Sequence, residues 1–290
     1  MHKFLRSIGY SNIGNKELEE ILHEIILHPD VMKVTKDSEG NEFAELSKSV
    51  STSMGITIRG TYSEDDEFHM DYYFPVLYGT TVTTQETVEV EKHAEKESYA
   101  GVCDDVHLGV TLIFYLQNVA DYLAESVYRS SHVKYEGAVL SALSVEGKIL
   151  LPIKETVKAK ANSMKSKDRS QLVAEAREGN EDALENLTLD DMDTYNMISR
   201  RVMNEDLFSI VSSTFMPYGI ESDQYSILGT IRDFSKVMNK FTGEEIYCMN
   251  IECNEIVFDV CINEKDLLGE PAVGRRFKGN VWMQGSLCLE

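Results

Sequence analysis

Between residues 221 and 290 the chain alternates apolar and polar side chains so regularly that few folds remain open to it. Residues 225–234 (YSILGTIRDF) repeat with a period of two, the pattern of a half-buried strand. Gly229 falls inside that run, where a bulge or sharp bend is expected. Asn239, Thr242 and Gly243 supply turn chemistry before 246–251 alternates again. Asn254 interrupts, and then Ile256, Phe258, Val260 and Ile262 share one face. Residues 264–269 read as a short helix or turn, 269–274 as a loop, and 277–289 as one or two closing strands broken at Gly285. Strands this short and this closely spaced predict a curled sheet with a side-chain-filled interior.

That order of elements resembles an OB-fold, with little chain left for a fifth strand. The aromatics of the stretch, among them Phe234, Tyr247 and Trp282, are candidates to stack on a ligand. Most fall on the apolar phase of their strands, so the core is the expected place for them. Cys248, Cys253, Cys261 and Cys288 form no CxxC pair and read as small buried apolar residues, not zinc ligands. Arg275, Arg276 and Lys278 make the one tight basic group. With Trp282 they are the candidate binding residues.

The chain has 290 residues and a formal net charge of −21. Polyanions bind to clustered Lys and Arg, so nucleic acid and anionic membrane surfaces are excluded as default partners. No apolar run approaches the roughly 18 residues of a membrane span. Residues 1–10 lack the apolar core of a secretion signal. Five cysteines, an odd number without paired spacing, suit a reducing compartment, and a cytoplasmic location is expected.

The first part reads as an α+β domain over 1–153. Asn15 caps a helix over 16–27 that Pro29 ends, with Leu18, Leu22 and Ile25 on its core face. Residues 31–36 and 42–46 form a hairpin around 37–41. Strands follow at 54–62, 67–77, 83–90 and 106–116, then a helix at 118–128. A hairpin over 137–145 and 148–153 turns at Glu146-Gly147. The expected architecture is a mostly antiparallel sheet with two helices, and no internal repeat is visible. Six basic residues lie between Lys154 and Arg169, a solvated face or linker. Residues 170–215 read as helices, so 154–220 is expected to be a linker and helical segment. Residues 221–290 are left as an OB-like barrel domain. Within the helical part, 172–187 resembles the opening helices of bacterial sigma-type factors; a generic two-helix turn, in which Ala and Gly let helices approach closely, explains it better, and no basic recognition helix accompanies it.

Most linear signs of chemistry fail on spacing. His23 and His28 are five residues apart, about 140° around a helix, which does not put both on one zinc. Asp190, Asp191 and Asp193 lack the Gly and terminal Glu of a calcium loop. Cys103, Asp104, Asp105 and His107 form the densest mixed polar group. No phosphate-binding loop, GxGxxG or GxSxG is present, and no cofactor or metal is expected.

Residues 1–9 (MHKFLRSIG), 216–220 (MPYGI), and Gly269-Glu270-Pro271 with the later Phe277-x-Gly279-x-x-Trp282-x-Gln284-Gly285 carry a full-length resemblance. Together they resemble an uncharacterised family, a domain of unknown function, of cytoplasmic proteins from anaerobic Gram-positive bacteria. It carries no assigned activity, so it transfers no site residues. The leading expectation is a non-enzymatic interaction or scaffold protein with a protein partner. The alternatives are a small-ligand or glycan binding module using the C-terminal barrel, and a hydrolase or transferase built on Asp104, Asp105 and His107.

Overall fold

A computed structural model of the chain describes residues 1–92, 97–105, 107–126, 135–153, 180 and 211–289. The strands are β1 (Val31–Lys36), β2 (Glu42–Ser51), β3 (Met54–Tyr62), β4 (Phe68–Leu77), β5 (Thr84–Lys92), β6 (Tyr99–Cys103), β7 (Leu112–Leu116), β8 (Tyr135–Leu150), β9 (Thr214–Pro217), β10 (Gln224–Met238), β11 (Glu245–Cys253), β12 (Ile256–Asn263), β13 (Leu267–Leu268) and β14 (Arg276–Leu287). Helices α1 (Asn15–Leu27) and α2 (Val119–Ser126) and the 3-10 turns Lys3–Ile8 and Glu264–Asp266 complete the described elements.

Two long antiparallel strands, β8 and β14, organise the larger sheet, pairing from Arg276↔Leu150 to Leu287↔Ala138. Each divides its outer edge among its neighbours, with the short β13 also pairing β8 at 147–148. β8 meets β5 at 135–138 and, in parallel, β12 at 141–144. β14 meets β10 at 276–282 and, in parallel, β7 at 284–285. Because β5–β6–β7 and β10–β11–β12 are themselves antiparallel runs, the pairings close two five-stranded rings. One is β5-β6-β7-β14-β8 and the other β10-β11-β12-β8-β14. The two rings repeat the same pairing senses, and each run of three strands sends its following long strand into both rings. The repeat lies in topology and pairing, where residue identity does not reveal it. Phe114, Leu116, Leu140, Phe258, Val260, Phe277 and Met283 belong to one continuous buried core.

The smaller sheet is the meander β1-β2-β3-β4. Its Leu46, Ile56, Ile58, Phe74 and Val76 form a second core with Phe4, Leu5 and Ile8 of the first turn and Leu18, Leu22 and Ile25 of α1. Leu143, Ile246, Cys261 and Trp282 extend that core onto the second ring. Arg59 of β3 fixes the two sheets together. It is 0% exposed, donates to Glu45 Oε1 at 2.7 Å, and reaches the carbonyls of Leu116 (3.0 Å) and Gln117 (2.7 Å) just past β7.

Several expectations are corrected. The α+β class gives way to a mostly β fold among the described residues. Residues 221–290 were expected to be an OB-like barrel domain short of a fifth strand; here β10, β11, β12 and β14 close a ring with β8, which precedes them by more than seventy residues. The central helical segment and its basic run lie outside the described residues except for Asn180 and 211–220. There, Phe215, expected to end a helix, lies in strand β9, with its ring 4.4 Å from that of Tyr225. The hairpin at Glu146-Gly147 is instead continuous strand β8. Gly147 is needed there for closeness, since a Cβ would lie 2.4 Å from Phe277 Cε2. Strand 106–116 shortens to β7, and β6, too short to show clear alternation, precedes it.

Candidate functional site

A groove of about 510 Å³ runs between α1, the meander and the β10–β11 loop. Sequence sets its walls locally. Glu17 closes the start of α1 by accepting the Gly14 N–H at 2.9 Å. Its helical phase then turns Ile21 and Ile25 toward Val50 and Ile56 as an apolar floor. The same phase leaves Glu17, Glu20 and Glu24 exposed along the rim, three and four residues apart. Lys48, 3.4 Å from Glu24, also donates to the His28 carbonyl that ends α1.

The opposite wall is held rigidly. Asn239 donates to the Ile8 carbonyl at 2.8 Å and accepts from the N–H groups of Phe241 and Thr242. Thr242 donates to the Gly9 carbonyl at 2.7 Å. Gly9, at φ 93°, is required in this contact, because a Cβ would lie 2.8 Å from Asn239 Cβ. Glu244 accepts from Asn263 at 2.7 Å and Lys265 at 2.6 Å. Burial opposes its charge, yet these bonds hold its carboxyl below the usual range. Phe241 stands on the lip, 51% exposed. Tyr10, 3% exposed, lines the groove with its hydroxyl buried beside Asn239. Burial pushes that hydroxyl up to about 12.

The residues singled out from sequence lie elsewhere. Trp282 is 5% exposed, stacked 5.4 Å from Phe4, and donates through Nε1 to Asp223 at 2.7 Å. Arg276 is buried and donates to the carbonyls of Leu151 and Val211. Arg275 donates to the Glu270 carbonyl at 2.7 Å. Lys278 is half-buried, its pKa lowered by burial and by Lys148. Trp282 and Arg276 are thus buried, while Arg275 and Lys278 are half-buried.

Asp105 and His107 do come together. The imidazole Nδ1 is 2.8 Å from Asp105 Oδ1, and Thr84 donates to Asp105 Oδ2 at 2.8 Å. Asp104 turns away to Thr111. The Nε2 of His107 faces Glu255 at 3.9 Å. Cys103 is no activated nucleophile, for burial and then Asp105 push its thiol up to about 11. All five cysteines are free, and no cluster of three or more potential metal ligands occurs among the described residues. No described helix is long and apolar enough to cross a membrane.

Sequence reasoning located α1 and its core face but missed the groove. Its far wall comes from a loop more than two hundred residues away, and no linear signal joins the two.

Residues 5–285 match the family described as a domain of unknown function, E. rectale Gene description. No curated protein and no solved structure matches the chain.

Proposed function

The chain belongs to that domain-of-unknown-function family (DUF3881) across nearly its full length, and from this premise we propose that it is an interaction protein whose α1 groove docks a basic, amphipathic helical segment of a protein partner. One observation carries the reading: an apolar floor of Ile21, Ile25, Val50 and Ile56 lies beneath a rim bearing Glu17, Glu20 and Glu24. Helix-in-groove recognition uses apolar anchors at i, i+3, i+4 and i+7. The acidic rim selects Lys and Arg beside those anchors and disfavours acidic competitors. The net charge of −21 extends the same bias over the whole surface. The five free cysteines and the family resemblance support a cytoplasmic setting in an anaerobic Gram-positive bacterium.

The test uses the full chain and two synthetic helical peptides with the same leucine anchors, one flanked by lysines and one by glutamates, read by fluorescence anisotropy. The lysine peptide is expected to bind, to weaken as salt rises, and to lose about tenfold or more with Glu20→Lys/Glu24→Lys. Equal binding of the glutamate peptide, or no effect of the charge reversal in a variant that melts like the parent, overturns the proposal.

A further inference from the structure

A second cleft, of about 380 Å³, lies between the β4–β5 connection and β10, β11 and β12. We propose that it binds a neutral polyhydroxylated ring, a saccharide of one to three units. A β-bulge between Ile231 and Asp233 offsets the register of β10 by one residue and sets Phe234 opposite Met249 at the cleft. Phe234 is left 37% exposed and Tyr78, across the cleft, 45% exposed. Two partly exposed aromatic rings in one concavity are apolar platforms without an apolar partner, and the C–H face of a sugar ring is a surface they can cover.

The polar groups between the rings divide into two sets. Asp259 is fully engaged, accepting from the Thr80 N–H at 2.8 Å, from the Thr80 hydroxyl at 2.7 Å and from Asn250 at 2.9 Å. These bonds fix the floor. Thr81, Ser235 and Tyr78 bear hydroxyls with no side-chain hydrogen bond among the described residues, and Asp233 accepts only from the adjacent Phe234 N–H. Hydroxyls that both donate and accept, beside one carboxylate, match the vicinal hydroxyls of a sugar. Asp233 and Asp259 together make the cleft unfavourable for phosphate or carboxylate ligands, and the hydroxyls beside them favour a polyhydroxylated one. The volume falls within the usual range for small-ligand pockets. The cleft shares no lining residue with the α1 groove, so the two proposals stand or fall separately.

The experiment is isothermal titration of the full chain with neutral trisaccharides (maltotriose, cellotriose, laminaritriose, xylotriose and mannotriose), each up to about 10 mM. At least one is expected to bind with a Kd on the order of 1 mM or tighter. Phe234→Ala and Asp233→Asn, both at exposed positions, should each weaken that binding by about tenfold. The groove variant Glu20→Lys/Glu24→Lys should bind the sugar as the parent does. Absence of heat with all five sugars, or unchanged binding by Phe234→Ala, overturns the proposal.

Discussion

The Tyr225 hydroxyl, on β10 of one ring, holds both backbone polar atoms of Ile113, on β7 of the other, accepting from its N–H at 2.8 Å and donating to its carbonyl at 3.0 Å. β7 reaches β14 only at 284–285, so Ile113 has no strand on that side. A side chain supplies the missing ladder rung. Tyr225→Phe keeps the ring in the core and deletes only the oxygen. It strands a buried N–H and should cost about 1–3 kcal/mol. For a protein of this size the midpoint of thermal unfolding should fall by roughly 2–4 °C per kcal/mol. An unchanged melting temperature would show that the two rings do not rely on this contact.

Arg59 joins the meander to the first ring. Burial works against its charge, but Tyr115, Glu45 and Tyr72 outweigh that effect and raise its pKa. Its guanidinium also lies 4.7 Å from the centre of the Phe74 ring. Arg59→Leu leaves the Glu45 carboxylate buried without its partner and should destabilise by about 3–5 kcal/mol. Adding Glu45→Gln removes that stranded charge, and the double variant should be more stable than Arg59→Leu alone in urea melts. If the double variant is the weaker, the cost lies in the lost carbonyl contacts and not in the charge.

Much of the meander was legible in the sequence, because its contacts are local. The α1 core face, the turn in which Asp37 Oδ1 accepts from Glu39 and Asn41, and the span of β3 all follow from neighbouring residues. The rings were not legible. Closing them requires β8 to pair with β12, and no periodicity reports which of two distant strands will meet. Gly147 and Gly285 misled for the same reason. A glycine that admits a distant aromatic ring looks, in sequence, like one that permits a turn. The bulge at Arg232 changes the phase of Asp233 and Phe234 without a sequence signature as plain as Gly or Pro. Of the group Asp104, Asp105 and His107, only Asp105 and His107 meet, two residues apart in sequence.

Those two glycines give a sharp test of strand against turn. A Cβ on Gly285 would lie 2.7 Å from Phe114 Cδ2, and one on Gly147 would lie 2.4 Å from Phe277 Cε2. Gly147→Asn is well tolerated in a turn but overpacks a strand, so it should destabilise by about 1–3 kcal/mol, as should Gly285→Ala. Gly40→Ala is the control. It sits in a true turn at φ 94° with nothing within 4 Å, and should cost only about 1 kcal/mol of backbone strain. Chemical denaturation of the three variants checks the order.

The cysteines predict how the fold responds to alkali. Burial pushes the Cys253 thiol up to about 12 from 9.0, and the Cys248 thiol likewise up to about 12. A raised pKa means that the folded state keeps its proton when the unfolded chain has lost it. The stability these thiols contribute is therefore complete below pH 9 and is lost as pH rises from about 9 toward 12. The single proton of Cys253 Sγ is shared between the carbonyls of Thr214 (3.1 Å) and Leu228 (3.3 Å), a contact that Cys253→Ala forfeits at every pH. That variant should start less stable at pH 7 yet lose less between pH 9 and pH 11, which urea titrations at a series of pH values can read directly. Cys288, half-buried and raised only by burial, should be the first thiol modified by a disulfide reagent in the native protein. If the fast phase of modification survives Cys288→Ser, another thiol is more accessible than this packing allows.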